Sequence, residues 1–430
     1  MNIFQFGAYP GGIEMIKETI RVSKCKHFIH MHNFKELNTL YKGVEPYELI
    51  KVRHAPYYKD IKLSSINGFI RNELMRHSDI FTVLIKRTHE YKKYSQQDCD
   101  TLFLKMGAYW YNMLRKNDIN VALFSEIPHR GIDYVLYLLC RIMGIPIHLA
   151  IRFAYRAKMA NEEEPIGLVD LVSGIEYIGD AFWFDHLHPS DVEERINSEG
   201  HGFLKDSLEI LNGKTETSHW KPTGKPKVLE HISQDYMHYY EKHVKPVKWN
   251  VPFIFFGLHF QPEANTCPQG GRFHNLTYVC DILSRAFPQH KIYVKEHPYP
   301  SRNRSENFYD KMLANTNVQF VPMDTNPIDL IMKSEAVATV TGTIGWEAIL
   351  RRKQCISFGY SYYANAPGVF NVNQEWPLES CKKIAKYIKK KYWVHDITKK
   401  EMLSFIWIMH CNSYKQTYDD LKPAILERLK

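Results

Sequence analysis

No stretch of this chain approaches the roughly 18 uninterrupted apolar residues of a membrane-spanning helix, and no basic segment followed by an apolar one opens it. Neither a transmembrane helix nor a secretion signal is therefore expected. The eight cysteines (Cys25, Cys99, Cys140, Cys267, Cys280, Cys355, Cys381, Cys411) show no CxxC pair. That argues against a zinc site or a disulfide framework and fits a reducing cytoplasm. Internal repeats and low-complexity tracts are also missing, which excludes solenoid and fibrous classes.

What is present is the composition of a folded protein, 44% hydrophobic and 24% charged. At 430 residues the chain is long for one core, and two domains of about 200 residues each are expected. The net charge of +9 points to anionic partners. Its densest run is Lys382, Lys383, Lys386, Lys389, Lys390 and Lys391, which reads as a solvated helix face or as contact with an anionic membrane surface or lipid-linked acceptor. No nucleic-acid-binding motif accompanies the charge, so nucleic acid is not expected.

Apolar runs alternate with longer amphipathic segments. In the first half Asn2–Phe6, Lys26–His32, Ile80–Lys86, Asn120–Phe124 and Ile145–Ile151 read as strands, with a helix over Asp133–Met143 closed by Gly144. Helices are expected over Ser190–Asn197 and Leu204–Leu211. Asn212–Lys227, with two prolines and two glycines, reads as a linker or loop, and a helix follows to His243. The second half runs strand Val251–Phe256, helix Asn275–Arg285, strand Lys291–Lys295, helix Ser305–Ala314, strand Val318–Val321, helix Pro327–Lys333, strand Ala336–Val340, helix Ile344–Arg352 and strand Cys355–Phe358. Helices near Glu379–Lys391, Lys399–Cys411 and Tyr414–Leu429 end the chain. Such alternation predicts α/β, doubly wound parallel sheets. The expected domains are 1–235, 236–395 and a helical 396–430 that could pack back on the first.

Ligands of open parallel sheets bind at the carboxyl ends of the strands. Three polar clusters fall there: His259, Gln261 and Glu263; Glu296 and His297, followed by Pro298; and Thr341, Gly342 and Thr343, with Gly345 and Glu347 beyond. The last is a small-residue turn into a helix, suited to present backbone N–H groups and the positive helix end to an anion. Its glycines allow close approach, its threonines offer hydroxyls or caps, and Glu347 could accept from a ribose diol. Either Glu263 or Glu126, the latter near His129 at a strand end of the first half, could serve as base or nucleophile. Asp324 reads as a turn or helix cap.

The runs VTGTIGWEAILRRKQCISFG, LHFQPEANTCPQGG and SEIPHRGIDYVLYLLCRIMGIP, with the EHP at a strand end, together resemble the bacterial capsule and surface polysaccharide synthesis proteins that include the β-Kdo transferases. The resemblance is firm over Val251 to Gly359 and looser over Asn120 to Pro146. It implies a GT-B glycosyltransferase, two Rossmann-like domains facing a central cleft, with the acceptor held by the first and the nucleotide sugar by the second. It places His297, Thr341, Gly342 and Thr343 near the nucleotide phosphate and Glu347 on the ribose. Those transferases carry a catalytic aspartate where this chain offers Glu263.

The expected function is transfer of a sugar, such as Kdo or a related ulosonic acid from a CMP rather than a UDP donor, onto a surface glycan such as capsule or O-antigen. No cofactor is expected. No DxD-type motif is recognised, and metal independence follows as an expectation. The partners are the nucleotide-sugar donor and a glycan or lipid-linked glycan acceptor, and the place is the cytoplasm, with peripheral contact at the inner membrane. The rivals are a nucleotide-sugar epimerase of similar architecture, a non-catalytic glycan-binding subunit, and a polyol-phosphate polymerase using CDP-glycerol.

Overall fold

The computed structural model describes residues 2–6, 21, 27–30, 44–46, 58–124, 127–152, 166–170, 174–176, 189–199, 202–214, 234–261, 263–297, 304, 307–359, 361–390, 399–403 and 405–406. The chain divides into two compact units, Met1–Gly179 with Asn412–Lys430, and Asp180–Cys411.

The first unit holds strands β1 (Asn2–Phe6), β2 (His27–His30) and β3 (Val44–Pro46), helices α1 (Gly68–Met75), α2 (Ser78–Ile85) and α3 (Gln96–Lys116), then β4 (Val121–Phe124), α4 (Ile132–Ile142), β5 (Ile147–Arg152), β6 (Ile166–Asp170) and β7 (Gly174–Glu176). Its sheet runs β3-β2-β1-β4-β5-β6-β7. The first five strands are parallel, whereas β6 and β7 are antiparallel additions at the edge, which need only loop connections. One strand expectation fails: Ile80–Lys86 is mostly α2. Ile80, Phe81, Leu84 and Ile85 bury one helical face there, and Phe81 stacks on Phe103 of α3. A short apolar run has no period that separates a strand from a buried helix, and packing decided.

The second unit contains α5 (Pro189–Glu199), α6 (Gly202–Leu211), α7 (Gln234–His243), β8 (Phe253–Gly257), α8 (Leu276–Ala286), β9 (Lys291–Lys295), α9 (Phe308–Leu313), β10 (Val318–Phe320), α10 (Pro327–Lys333), β11 (Ala336–Thr339), α11 (Thr343–Leu350), β12 (Cys355–Ser357), β13 (Val369–Asn371) and α12 (Pro377–Lys390). Residues 399–403 and 405–406 are helical. The sheet is parallel throughout, in the order β10-β9-β8-β11-β12-β13, the doubly wound order of a dinucleotide-binding fold. Alternate side chains sort the core into two layers. Ile254, Phe256, Ile292, Val294, Ala336 and Ala338 face α8, α9 and α12, while Phe253, Phe255, Tyr293 and Val337 meet Leu330 and Ile331 of α10 and Ala348 of α11. Each unit thus carries a Rossmann-like sheet, the expected α/β class.

The division falls at Gly179, whereas the sequence reading divides the chain at 235. The reason is that α6 packs on α11, where the Trp346 indole N–H donates to the Ser207 hydroxyl at 3.0 Å. The expected Tyr414–Leu429 helix lies outside the described residues. No helix among the described residues is long and apolar enough to cross a membrane.

Candidate functional site

The winding of the second sheet reverses between β8 and β11. In open α/β sheets the crevice at that reversal is where ligands sit. The two loops leaving these strands, Leu258–Gly271 and Val340–Gly342, emerge side by side because β8 and β11 are hydrogen-bonded neighbours.

The turn after β11 is built on His259. Its Nε2 accepts from the backbone N–H groups of Val340 at 3.1 Å and Thr341 at 3.3 Å and lies 2.9 Å from the Thr339 hydroxyl, which accepts the Gly342 N–H at 3.0 Å. With Nε2 accepting, the proton of a neutral ring sits on Nδ1. Burial, with lesser contributions from the neighbouring His297 and Arg304, pushes the His259 pKa down to about 3 and keeps the ring neutral. His259, expected to touch donor, thus shapes the turn. A Cβ on Gly342 would come within 2.7 Å of the Thr339 hydroxyl and 3.2 Å of His259 Nε2, so only glycine fits.

The turn therefore presents fewer donors than the sequence suggests, since the amides of residues 340 to 342 are used internally. The Thr341 hydroxyl donates to the Asn265 carbonyl at 2.8 Å, and no side chain caps α11. What remains for an outside anion is the first turn of α11, where the half-buried Thr343 and Ile344 carry amides that an α-helix leaves unpaired. Gly345 serves packing: a Cβ there would meet Cys355 Sγ at 2.7 Å and the Tyr363 hydroxyl, which itself donates to the Gly342 carbonyl.

Arg304, which the sequence reading passes over, ties the neighbouring loops together. Its guanidinium donates to both oxygens of Glu296, Nη2 to Oε1 at 2.7 Å and Nε to Oε2 at 3.2 Å, and also to Gln261 Oε1 at 2.5 Å and the His259 carbonyl at 2.8 Å. The same carboxylate accepts the Tyr309 hydroxyl and the His297 N–H, each at 2.7 Å. Gln261 spends its amide N–H on the His274 carbonyl at 2.8 Å. Glu296 and Gln261, expected on the donor, are thus engaged in bracing the two loops, with Glu296 2% exposed and Arg304 3%. His297 is half-buried, its ring tilted 44° to Phe260 at 5.8 Å between centroids.

Glu263 is half-buried in a compact turn, its carbonyl accepting from Thr266 at 3.2 Å and Cys267 at 3.0 Å. The bond from Thr341 to Asn265 fastens this turn to the one before α11. Glu347 points elsewhere. Its carboxylate is buried 3.7 Å from Arg351, one helical turn on, and burial pushes its pKa up to about 7 against the pull of Arg351. The expected ribose contact gives way to this helix pair.

In the first unit His129 Nδ1 lies 2.6 Å from the Ile127 carbonyl, a contact that needs the proton on Nδ1. Buried Asp133 accepts the N–H groups of His129 at 3.1 Å and Arg130 at 2.7 Å, fixing the entry to α4. Glu126 lies outside the described residues. Asp98 and Asp100 do have DxD spacing, contrary to the sequence expectation. Asp98 closes the capping box of α3 with Ser95, and Asp100 takes the Gln96 amide at 2.8 Å.

Comparison with known proteins agrees with the motif resemblance. Residues 266–396 match the family described as capsule polysaccharide biosynthesis protein. A stretch of 77 residues is 32% identical to the capsule polysaccharide modification protein LipA of Neisseria meningitidis serogroup A, covering 18% of this chain and 11% of that protein. The chain thus spans about a ninth of the curated relative's length. Among solved structures, the Thermosulfurimonas dismutans KpsC β-Kdo 2,7 transferase aligns over 100% of this chain and 98% of that one, at 9% identity and a TM-score of 0.35. The UDP-GlcNAc 2-epimerase of Methanocaldococcus jannaschii aligns over 95% and 99%, at 14% identity and a TM-score of 0.32. Scores this low separate neither activity from the other.

Proposed function

We propose that the chain is a glycosyltransferase of bacterial surface-polysaccharide synthesis, binding its nucleotide-sugar donor on the second unit. One observation carries the reading: at the winding reversal, the uncapped amino end of α11 and the loop bearing Glu263 are locked together through Thr341 and Asn265. A helix amino terminus holds the phosphate and stabilises the charge that builds on it as the sugar departs, with no need of a metal ion. In this reading Thr343 and His297 contribute the side chains that contact the phosphate. Glu263 supplies the carboxylate for the chemistry.

The donor is a CMP-activated Kdo or related ulosonic acid, and the acceptor a capsule or O-antigen glycan. Support comes from the motif resemblance and the family match over residues 266–396. In this reading a lipid-linked acceptor is met at the inner-membrane surface.

The test is incubation with a panel of CMP- and UDP-sugars, with and without glycan acceptor. Acceptor-dependent release of CMP is expected; isomerisation without acceptor would establish an epimerase instead. Glu263→Gln is expected to abolish transfer with nucleotide binding near normal, and retained activity would move the catalytic role to Glu126 or His129.

A further inference from the structure

The lysine-rich run near the end of the second unit is α12, a helix with two unlike faces. Cys381, Ile384 and Ile388 sink into the core, and the helix packs on α8. Lys382, Lys383, Lys386 and Lys389 are all exposed on the other side. Solubility alone accounts for such a face, but not for its aromatics: Trp376 is 68% exposed and Tyr387 46%. The Trp376 carbonyl accepts the Ser380 N–H at 2.9 Å, which puts Trp376 in register with the helix. At the rotation of an α-helix, Trp376, Lys383 and Tyr387 share a stripe about 40° wide.

Exposed indole and phenol rings on a cationic helix face are what a water–lipid boundary selects, because each ring buries an apolar body and keeps a polar edge in the headgroup region. Arg272, exposed and donating to the Gln374 carbonyl at 2.8 Å, extends the positive charge toward Trp376. The acids nearby are Glu375 and Glu379, both exposed at the amino end of α12, and Asp281 of α8, which pairs with Arg285 at 3.5 Å.

We propose that this face of α12 docks the protein on an anionic phospholipid bilayer, with the lysines over the headgroups and Trp376 and Tyr387 inserted at the boundary. The assignment deepens the reading of a lipid-linked acceptor, and its test needs neither donor nor acceptor, so either can fail alone.

The full chain is sedimented with phosphatidylcholine vesicles with or without phosphatidylglycerol, at low and high salt. Binding is expected only with phosphatidylglycerol and is expected to weaken with salt. Replacing Lys382, Lys383, Lys386 and Lys389 together by Gln should lower partitioning by about tenfold or more, given the attraction each lysine has for an anionic surface. Trp376→Ser should weaken binding with the charge unchanged. All these positions are exposed, so the unfolding midpoint should hold in both variants. The proposal is overturned if the wild-type chain ignores phosphatidylglycerol, or if either variant binds as the wild type does.

Discussion

Arg304 and Glu296 form a two-pronged ion pair, at 2.7 and 3.2 Å, and both side chains are about 1% exposed. Around it gather Gln261, Tyr309 and the His259 carbonyl, so one guanidinium spans the loops after β8 and β9. Removing one member of a buried pair leaves the other charge without compensation. Arg304→Met should therefore cost about 3–5 kcal/mol in urea unfolding. Arg304→Lys keeps the charge but cannot grip both carboxylate oxygens, and it should recover part of the stability and less of the donor affinity. A melting curve unchanged in Arg304→Met would remove the pair from the framework.

His259 is the second brace. His259→Phe preserves the ring but strands the amides of Val340 and Thr341, and each buried unsatisfied group costs about 1–3 kcal/mol. The wild-type ring, with its pKa lowered from 6.5 to about 3, takes up fewer protons than the unfolded chain between those values. Its stabilising share is present above pH 6.5 and is lost as pH falls toward 3. The stability gap between wild type and His259→Phe should narrow through that window; a constant gap would show that the ring is not held neutral.

Much of this unit was legible because its punctuation is clear. Lys291–Lys295 and Pro327–Lys333 match the expected elements residue for residue, the helix because Asn326 caps it and Pro327 opens it. Helix α3 carried an unused signal, Ser95 three residues before Asp98, which the structure closes into a capping box. Arg304 carried none: in SRNRSENF nothing distinguishes it from Arg302, and its role arises from loops brought together by the sheet. For the same reason the strand-end polar residues were found and their duties were not. His259, Gln261 and Glu296 sit where a ligand site is expected, yet their side chains brace the loops around it.

Gly342 tests the turn directly. In Gly342→Ala the new methyl would press on the Thr339 hydroxyl and on His259, the groups that fix the turn. Binding of CMP or of the CMP-sugar, measured by calorimetry, should weaken by about tenfold or more, which is the loss of one charge-assisted hydrogen bond. Gly68→Ala, with nothing within 4 Å of the new methyl, is the control and should leave binding unchanged. Equal affinities in both variants would detach the nucleotide from the amino end of α11.

Glu347 makes a prediction of opposite sign to that of His259. Burial raises its folded pKa from 4.5 to about 7, so between these values the folded chain holds more protons than the unfolded one. Stability contributed by the protonated acid is full below pH 4.5 and is lost as pH climbs through 7. The shift corresponds to up to about 3 kcal/mol at about 1.4 kcal/mol per pH unit. Glu347→Gln cannot ionise and should be relatively more stable than wild type at pH 7 than at pH 4.5. Urea midpoints of the two proteins across this range measure the difference. A gap that does not change with pH would mean that Arg351, 3.7 Å away, already holds the carboxylate ionised throughout.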